Sequence, residues 1–266
     1  PASHPQLRTA GGEVGIPASK AKGYYETALA AAKDVIENSP YALMTAKDDT
    51  HKAYADNFYK AICAKEGNTE VIWCRDYVSP GQTHQFTTNN LPKSIEQDTG
   101  SDRLSVLLNL VEAFEPMNAT EAQQGTSVPF EIGTATDPVF FNDPTELFNK
   151  RDPRLVGSII VPGATFDSKV ILLQAGQLVK ENGVWTEITG ARNSYDKNNK
   201  QLITANNGPF GGNDREINRT GFYVRKFLDA ATSAGTIGRG SDMWNIYFRI
   251  AEAYMIAAEA SWELSR

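Results

Sequence analysis

Residues Trp244 to Leu264 read WNIYFRIAEAYMIAAEASWEL. Apolar side chains recur at Trp244, Tyr247/Phe248, Ala251, Tyr254/Met255, Ala258 and Trp262, steps of three and four that gather them on one side of a helix. Asn245, Arg249, Glu252, Glu259 and Glu263 fall on the other faces, with Arg249 and Glu252 spaced for an intrahelical ion pair. Alanines at 251, 253, 257, 258 and 260 leave thin surfaces on which a second helix can pack closely. Asp242 precedes the pattern as an N-cap for a scaffold helix over 242–264. The pattern is still running at Arg266, so the chain is expected to be a piece of a longer protein.

At the other end, Gly23 to Pro40 carries a second helical stripe: Tyr25, Ala28/Leu29, Ala32 and Val35/Ile36, closed by Pro40. A tyrosine, two alanines and a branched residue at this spacing, then a proline, match the second helix of a tetratricopeptide repeat. Between the two helices the sequence changes character. Asn57 to Ile62, Ser105 to Phe114 and Pro144 to Phe148 predict short helical pieces, and Glu70 to Cys74 a strand. Ser158–Val161, Val170–Leu173, Gln177–Lys180 and Trp185–Ile188 have strand character, with Asn182-Gly183 as a hairpin turn. Tyr77–Pro92 and Tyr195–Gly212 are long and polar, and loops of that length usually carry function. The fold class is therefore mostly α with a loop-rich α+β portion: a tetratricopeptide-like helical scaffold with short strands and hairpins, in a single domain over 1–266. The helix at 23–40 and the helix at 242–264 flank a loop-rich, ligand-binding region at 60–240.

Composition narrows the function. Of 266 residues, 41% are hydrophobic and 22% charged, and the net charge is -6. No clustered basic face is present for a nucleic-acid partner, and no apolar run reaches the roughly 20 residues of a membrane span. Cys63 and Cys74 read as two partly buried thiols, with a disulfide the alternative that geometry decides. His4, His51 and His84 lack zinc-ligand spacing, and Asp196, Asn198 and Asn199 lack the glycine and glutamate of a calcium loop, so no metal and no cofactor is expected. Nucleophile-elbow, phosphate-loop, zincin and dinucleotide motifs are missing too, which favours binding over catalysis.

Several stretches, in order, resemble the starch-utilisation D (SusD/RagB) family of outer-membrane nutrient-binding lipoproteins of Bacteroidetes. They are YYETALAAAKDVIENSPYAL, NFYKAICAKEGNTEVIW, the run Asp152-Pro153-Arg154-Leu155, FYVRKFLD and SDMWNIYFRIAEAYMIAAEA. In the last, Arg249, Ala251, Glu252, Ala258, Glu259 and Ala260 reproduce the family's characteristic helix. The resemblance implies a tetratricopeptide scaffold with ligand-holding loops. It also implies a surface-exposed lipoprotein of the outer membrane that captures an oligosaccharide or polysaccharide and hands it to a SusC-like TonB-dependent transporter. Membrane contact would come only through an N-terminal lipid anchor, which this sequence does not include, and members carry further helices ahead of Tyr25 and after Leu264. The alternatives are a tetratricopeptide-type protein or peptide interaction module and, third, a glycan-degrading enzyme, whose two carboxylates need not be near in sequence.

Sugar rings stack their C–H faces on aromatic rings, and their hydroxyls bond planar amides and carboxylates. Aromatics in polar loops are therefore the candidate ligand contacts. Tyr77, His84 and Phe86 sit beside Gln82, Gln85, Asn89 and Asn90; Tyr195 and Phe210 sit beside Asn206, Asn207 and Asn213; Trp185 follows the hairpin turn. The ligand-binding set is Tyr77, His84, Phe86, Trp185, Tyr195, Asn207 and Phe210. Trp73, Trp244 and Trp262 read as core, and Asp152 with Arg154 as a salt-bridged corner.

Overall fold

The computed structural model describes residues 10, 17–95, 103–208, 218–231 and 233–266. In chain order their elements are α1 (Ala21–Asn38), α2 (His51–Cys63), β1 (Val71–Arg75), α3 (Phe86–Asn90), α4 (Leu108–Glu112), α5 (Arg154–Ser158), β2 (Ile159–Ile160), β3 (Thr165–Phe166), β4 (Lys169–Val170), β5 (Gln177–Glu181), β6 (Val184–Ile188), β7 (Ser194–Tyr195), β8 (Leu202–Thr204), β9 (Tyr223–Val224), β10 (Asn245–Arg249) and α6 (Ile250–Ser265). The strands form two-stranded ribbons only, β1–β10, β2–β9, β3–β4, β5–β6 and β7–β8. More than half of the described residues lie outside helices and strands, so the chain is less helical than its sequence predicts. Two compact units result. One comprises the segment up to Thr45, Glu66–Arg75 and Ile246–Arg266; the other comprises Ala46–Lys65 and Asp76–Asn245.

In the first unit α1 packs along α6. Beyond Ala21 in the first turn, the side chains of α1 that lose solvent are Tyr25, Ala28, Leu29, Ala32, Val35 and Ile36, the stripe that the 3.6-residue period predicts. The closing helix departs from its expected form in three ways. It begins at Ile250, and Asn245–Arg249 is a strand, with Arg249 extended (φ -129°, ψ 157°) where Asp242 was expected to cap. The run Ile-Tyr-Phe suits a pleated strand as well as a helix, and β1 supplies the partner whose backbone groups need pairing.

Second, the buried face of α6 is Ile250, Ala253 and Ala260, whereas Tyr254 is 43%, Met255 72% and Trp262 65% exposed. The helix is apolar on both sides, and α1 lies on the thin side, where alanines permit close approach. Third, Arg249 pairs with Glu70 rather than with Glu252: Nη1 lies 2.5 Å from Oε2. Glu70 is buried; its other oxygen accepts the Met44 N–H at 3.0 Å, and its backbone carbonyl accepts the Ile250 N–H at 2.8 Å. Trp73, read as core, is 64% exposed and packs its ring on Tyr247 at 4.9 Å across the β1–β10 ribbon.

In the second unit a two-residue ribbon divides the core. β2 and β9 pair as Ile159↔Val224 and Ile160↔Tyr223. Because successive strand residues point to opposite faces, Ile160 and Tyr223 join Leu91, Phe166, Ile171 and Leu228 on one side, while Ile159 and Phe222 join Val111, Phe148 and Leu155 on the other. α2 packs on α5 through Gly157, where a Cβ would lie 2.8 Å from the Ala55 carbonyl oxygen. Arg151 is buried, donates to the carbonyls of Glu112, Phe114 and Val128, and stacks 4.0 Å from the Phe130 ring centroid. Those carbonyls and the ring face compensate a charge that would otherwise be costly to bury. The corner beyond it is the expected one, Arg154 Nη2 lying 2.5 Å from Asp152 Oδ2. Asn182 and Gly183 take φ of 51° and 83°, the left-handed pair that a tight hairpin turn requires, and join β5 to β6 in full register. Both cysteines are free thiols, Cys63 buried and Cys74 half-buried.

Candidate binding cleft

Val78 and Gln82 exchange backbone hydrogen bonds at 2.9 and 2.8 Å, which folds Tyr77 back over His84. The two rings meet edge to face, 4.7 Å apart. A second backbone exchange, between His84 and Ser241 at 2.9 and 2.8 Å, attaches this loop to the segment that leads into β10. That segment approaches closely beside Gly240, where a Cβ would lie 2.0 Å from Thr83 Oγ1. His84 holds both strands of the junction. Its Nδ1 accepts the Phe86 N–H at 3.1 Å and its Nε2 lies 2.7 Å from the Met243 carbonyl oxygen, so the ring is the tautomer protonated on Nε2.

The result is a cleft of about 560 Å³, lined by Tyr77, His84, Gln85, Phe86, Asn89 and Phe227 and walled by Met243 to Asn245. Phe86 and Phe227 meet edge to face at 6.5 Å. Phe227 has φ of 67°, a left-handed conformation that costs a bulky residue roughly 1–2 kcal/mol. Neighbouring bonds hold it there, since the Leu228 carbonyl accepts the Tyr59 hydroxyl at 2.6 Å and the Asp229 N–H donates to Thr87 Oγ1 at 3.1 Å. Trp244 is fixed by its indole N–H, which donates to the Ile62 carbonyl at 2.7 Å, and so serves as cleft wall rather than core. At the base of Tyr77, Lys65 bonds the Tyr77 carbonyl at 2.6 Å and Asp76 at 2.5 Å. The ammonium holds the Asp76 carboxyl below the usual range. Flat apolar rings beside the amides of Gln85 and Asn89 form a surface that can take a sugar's C–H face and its hydroxyls together.

Of the residues singled out from sequence, Tyr77, His84 and Phe86 therefore converge. Trp185 stands elsewhere, on β6, with Phe140 5.1 Å away and Lys180, its cross-strand partner, 5.2 Å from the ring centre. Tyr195 is exposed on the β7–β8 hairpin. Asn207 is 2% exposed, and its amide is committed: Oδ1 accepts the Ser94 N–H at 2.9 Å, and Nδ2 donates to Ser94 Oγ and the Leu172 carbonyl. It ties loops together. Asn90 is likewise buried, bonding Phe86 and Leu104. Phe210 and Asn213 lie outside the described residues. Asp196 caps its own turn, accepting the N–H groups of Asn198 and Asn199. Phe227, Met243 and Trp244 complete the cleft without a signal in the sequence, because nothing local marks a residue as facing a loop some 140 to 160 positions earlier.

The model of the SusD family matches residues 69–266. Two solved structures from Bacteroides fragilis are similar in fold. One, a SusD-like protein, superposes with a TM-score of 0.51 at 17% identity over 98% of this chain and 46% of its own. The other, a SusD-like carbohydrate-binding protein, gives 0.53 at 18% identity over 95% of this chain and 41% of its own. The chain thus spans less than half the length of these structures. No curated protein matches the sequence.

Proposed function

The chain belongs to the SusD family, and on that premise we propose that it is the ligand-holding portion of a cell-surface nutrient-binding lipoprotein. It captures an oligosaccharide in the cleft between Tyr77, Phe86 and Phe227 for import through a SusC-like TonB-dependent transporter. The observation that carries this reading is the convergence of three aromatic rings with Gln85 and Asn89 in one cleft. Binding is recognition without bond chemistry: ring stacking supplies the apolar contact and the amides fix orientation. The α1–α6 pair is read as part of a tetratricopeptide-type scaffold, on the strength of the α1 spacing. Trp185 with Phe140, and Tyr195, are read as accessory contacts for a long chain.

Affinity electrophoresis through gels containing single polysaccharides tests the proposal. Phe86 also packs on the buried cluster around Leu91, so Tyr77→Ala, Gln85→Ala and Asn89→Ala are the informative variants. Retardation in at least one gel, lost in these variants with melting unchanged, is expected. Retardation by none of the gels overturns the reading. A second reading, a protein or peptide interaction module, is favoured by the exposed Tyr254, Met255 and Trp262 stripe on α6. It predicts that substitutions there, and not in the cleft, abolish binding.

A further inference from the structure

A second hollow lies in the same unit, between the first turns of α2, the turn at Asp143–Asn149, and the strands β2 and β3. Its volume is about 720 Å³, larger than the aromatic cleft. Two of its walls are locked together at Gly163 (φ 81°), where a Cβ would sit 2.9 Å from the Pro144 side chain. Its floor is aliphatic, from Val156, Ile160 and Val161, and its rim is polar.

Most of the charge on that rim is already paired. Asp56 bonds Lys52 through one oxygen, and Arg225 at 3.2 Å through the other. Burial alone would raise the Asp56 carboxyl, but these two cations outweigh it and keep it ionised. Arg225 also donates to the Val156 carbonyl at 2.8 Å and stacks 4.6 Å from the Tyr59 ring. An anionic ligand would have to break this pairing.

What the rim offers instead is acceptors. Asp143 Oδ1 takes the Thr145 N–H and hydroxyl at 2.7 and 2.5 Å, and Oδ2 has no hydrogen bond among the described residues. Asn149 gives its amino group to Thr145 Oγ1 at 3.1 Å and keeps its carbonyl oxygen. His51 uses Nε2 on the Arg151 carbonyl at 2.7 Å, which leaves Nδ1 an acceptor in the neutral ring. Three unspent acceptors around an aliphatic floor suit a neutral ligand that carries many O–H donors and an apolar C–H face.

We infer that this hollow is a second binding site, for a neutral polyhydroxylated ligand of the oligosaccharide class, separate from the aromatic cleft. The class of ligand rests on the carbohydrate-binding reading; the location rests on this geometry alone. Calorimetric titration with neutral hexasaccharides (maltohexaose, cellohexaose, mannohexaose), with hexagalacturonate as the anionic control, tests it. Two sites per chain are expected for at least one neutral sugar. Asp143→Asn and Asn149→Ala, both conservative at exposed turn positions, should each weaken the second site at least ten-fold and leave the first. Tyr77→Ala should do the reverse. One site that Tyr77→Ala abolishes and the Asp143 and Asn149 variants spare overturns the second site alone. One site with the opposite sensitivity upholds it and overturns the aromatic cleft. Tight hexagalacturonate binding lost in Asp143→Asn would contradict the ligand class, and no binding by any sugar would sink both sites.

Discussion

The Arg249 guanidinium lies 2.5 Å from the buried Glu70 carboxylate, joining residues 179 positions apart in the chain. Glu70 also accepts the Met44 N–H, so one carboxylate gathers three separate segments of its unit. Removing the arginine leaves a buried charge with a single backbone donor. Arg249→Ala is therefore expected to destabilise by about 3 kcal/mol, read from urea unfolding. A Glu70→Leu/Arg249→Met pair should recover most of that loss. An Arg249→Ala variant as stable as the parent would show the pair to be incidental.

The orientation of α6 makes opposite claims for neighbouring positions. Ala253 is buried on the helix that packs along α1, and Met255 faces solvent. Ala253→Leu should cost about 1–3 kcal/mol through overpacking, while Met255→Lys should change stability by less than about 0.5 kcal/mol. The reverse ranking would mean that the large-residue face is the packed one.

His84 acts through Phe86 and Met243 rather than as a solitary ring. Its Nδ1 is an acceptor and its Nε2 a donor. His84→Ala is expected to lower stability by about 1–3 kcal/mol, the cost of leaving buried backbone groups unpaired, and to weaken polysaccharide retention. Phenylalanine at 84 keeps the ring contact with Tyr77 but neither bond. Retention at the parent level in His84→Phe would show that the bonds do not position the cleft.

Acid should expose the charge pairs at the second hollow and the Asp152 corner. Burial pushes the Asp56 and Asp152 carboxyls up, and bonds from Lys52 and Arg225, and from Arg154, more than reverse this, so both stand below the ordinary range. A depressed carboxyl contributes stability above its unfolded pKa, about 3.9, and loses it as pH falls through the folded value. The melting temperature should drop below about pH 4. The deficit of Asp56→Asn relative to the parent, present at pH 7, should vanish in strong acid. A deficit independent of pH would assign Asp56 a packing role.

Burial pushes the Cys63 thiol up to about 11. At pH 8 only about one molecule in a thousand then carries the reactive thiolate. Iodoacetamide should spare Cys63 in the folded protein and modify it promptly in denaturant, a difference that peptide mass mapping resolves.

Where one period dominated, the sequence was readable. The stripe of α1 and the Asn182-Gly183 turn appear as expected, because a 3.6-residue repeat and a left-handed dipeptide each admit one local structure. Trp244–Phe248 failed that condition, since its aromatic run satisfies a strand and a helix equally, and only the unpaired edge of β1 decides between them. The faces of α6 were ambiguous for the same reason, both being apolar. At the cleft, Tyr77, His84 and Phe86 were visible because one short loop carries them. Asn207 looked like a ligand contact because polar loops usually face water; the partners that bury it, Ser94 and Leu172, are remote in sequence.

The bonds that shape the aromatic cleft span long stretches of chain: His84 to Met243 across 159 positions, Tyr59 to Leu228 across 169 and Trp244 to Ile62 across 182. Closing loops of that size is entropically slow, and local contacts reward the chain sooner. The cleft is consequently a late event in folding. During synthesis Tyr77, His84 and Phe86 leave the ribosome long before Phe227 and Trp244, so the nascent chain exposes half a binding surface until the segment from Phe227 to Trp244 arrives.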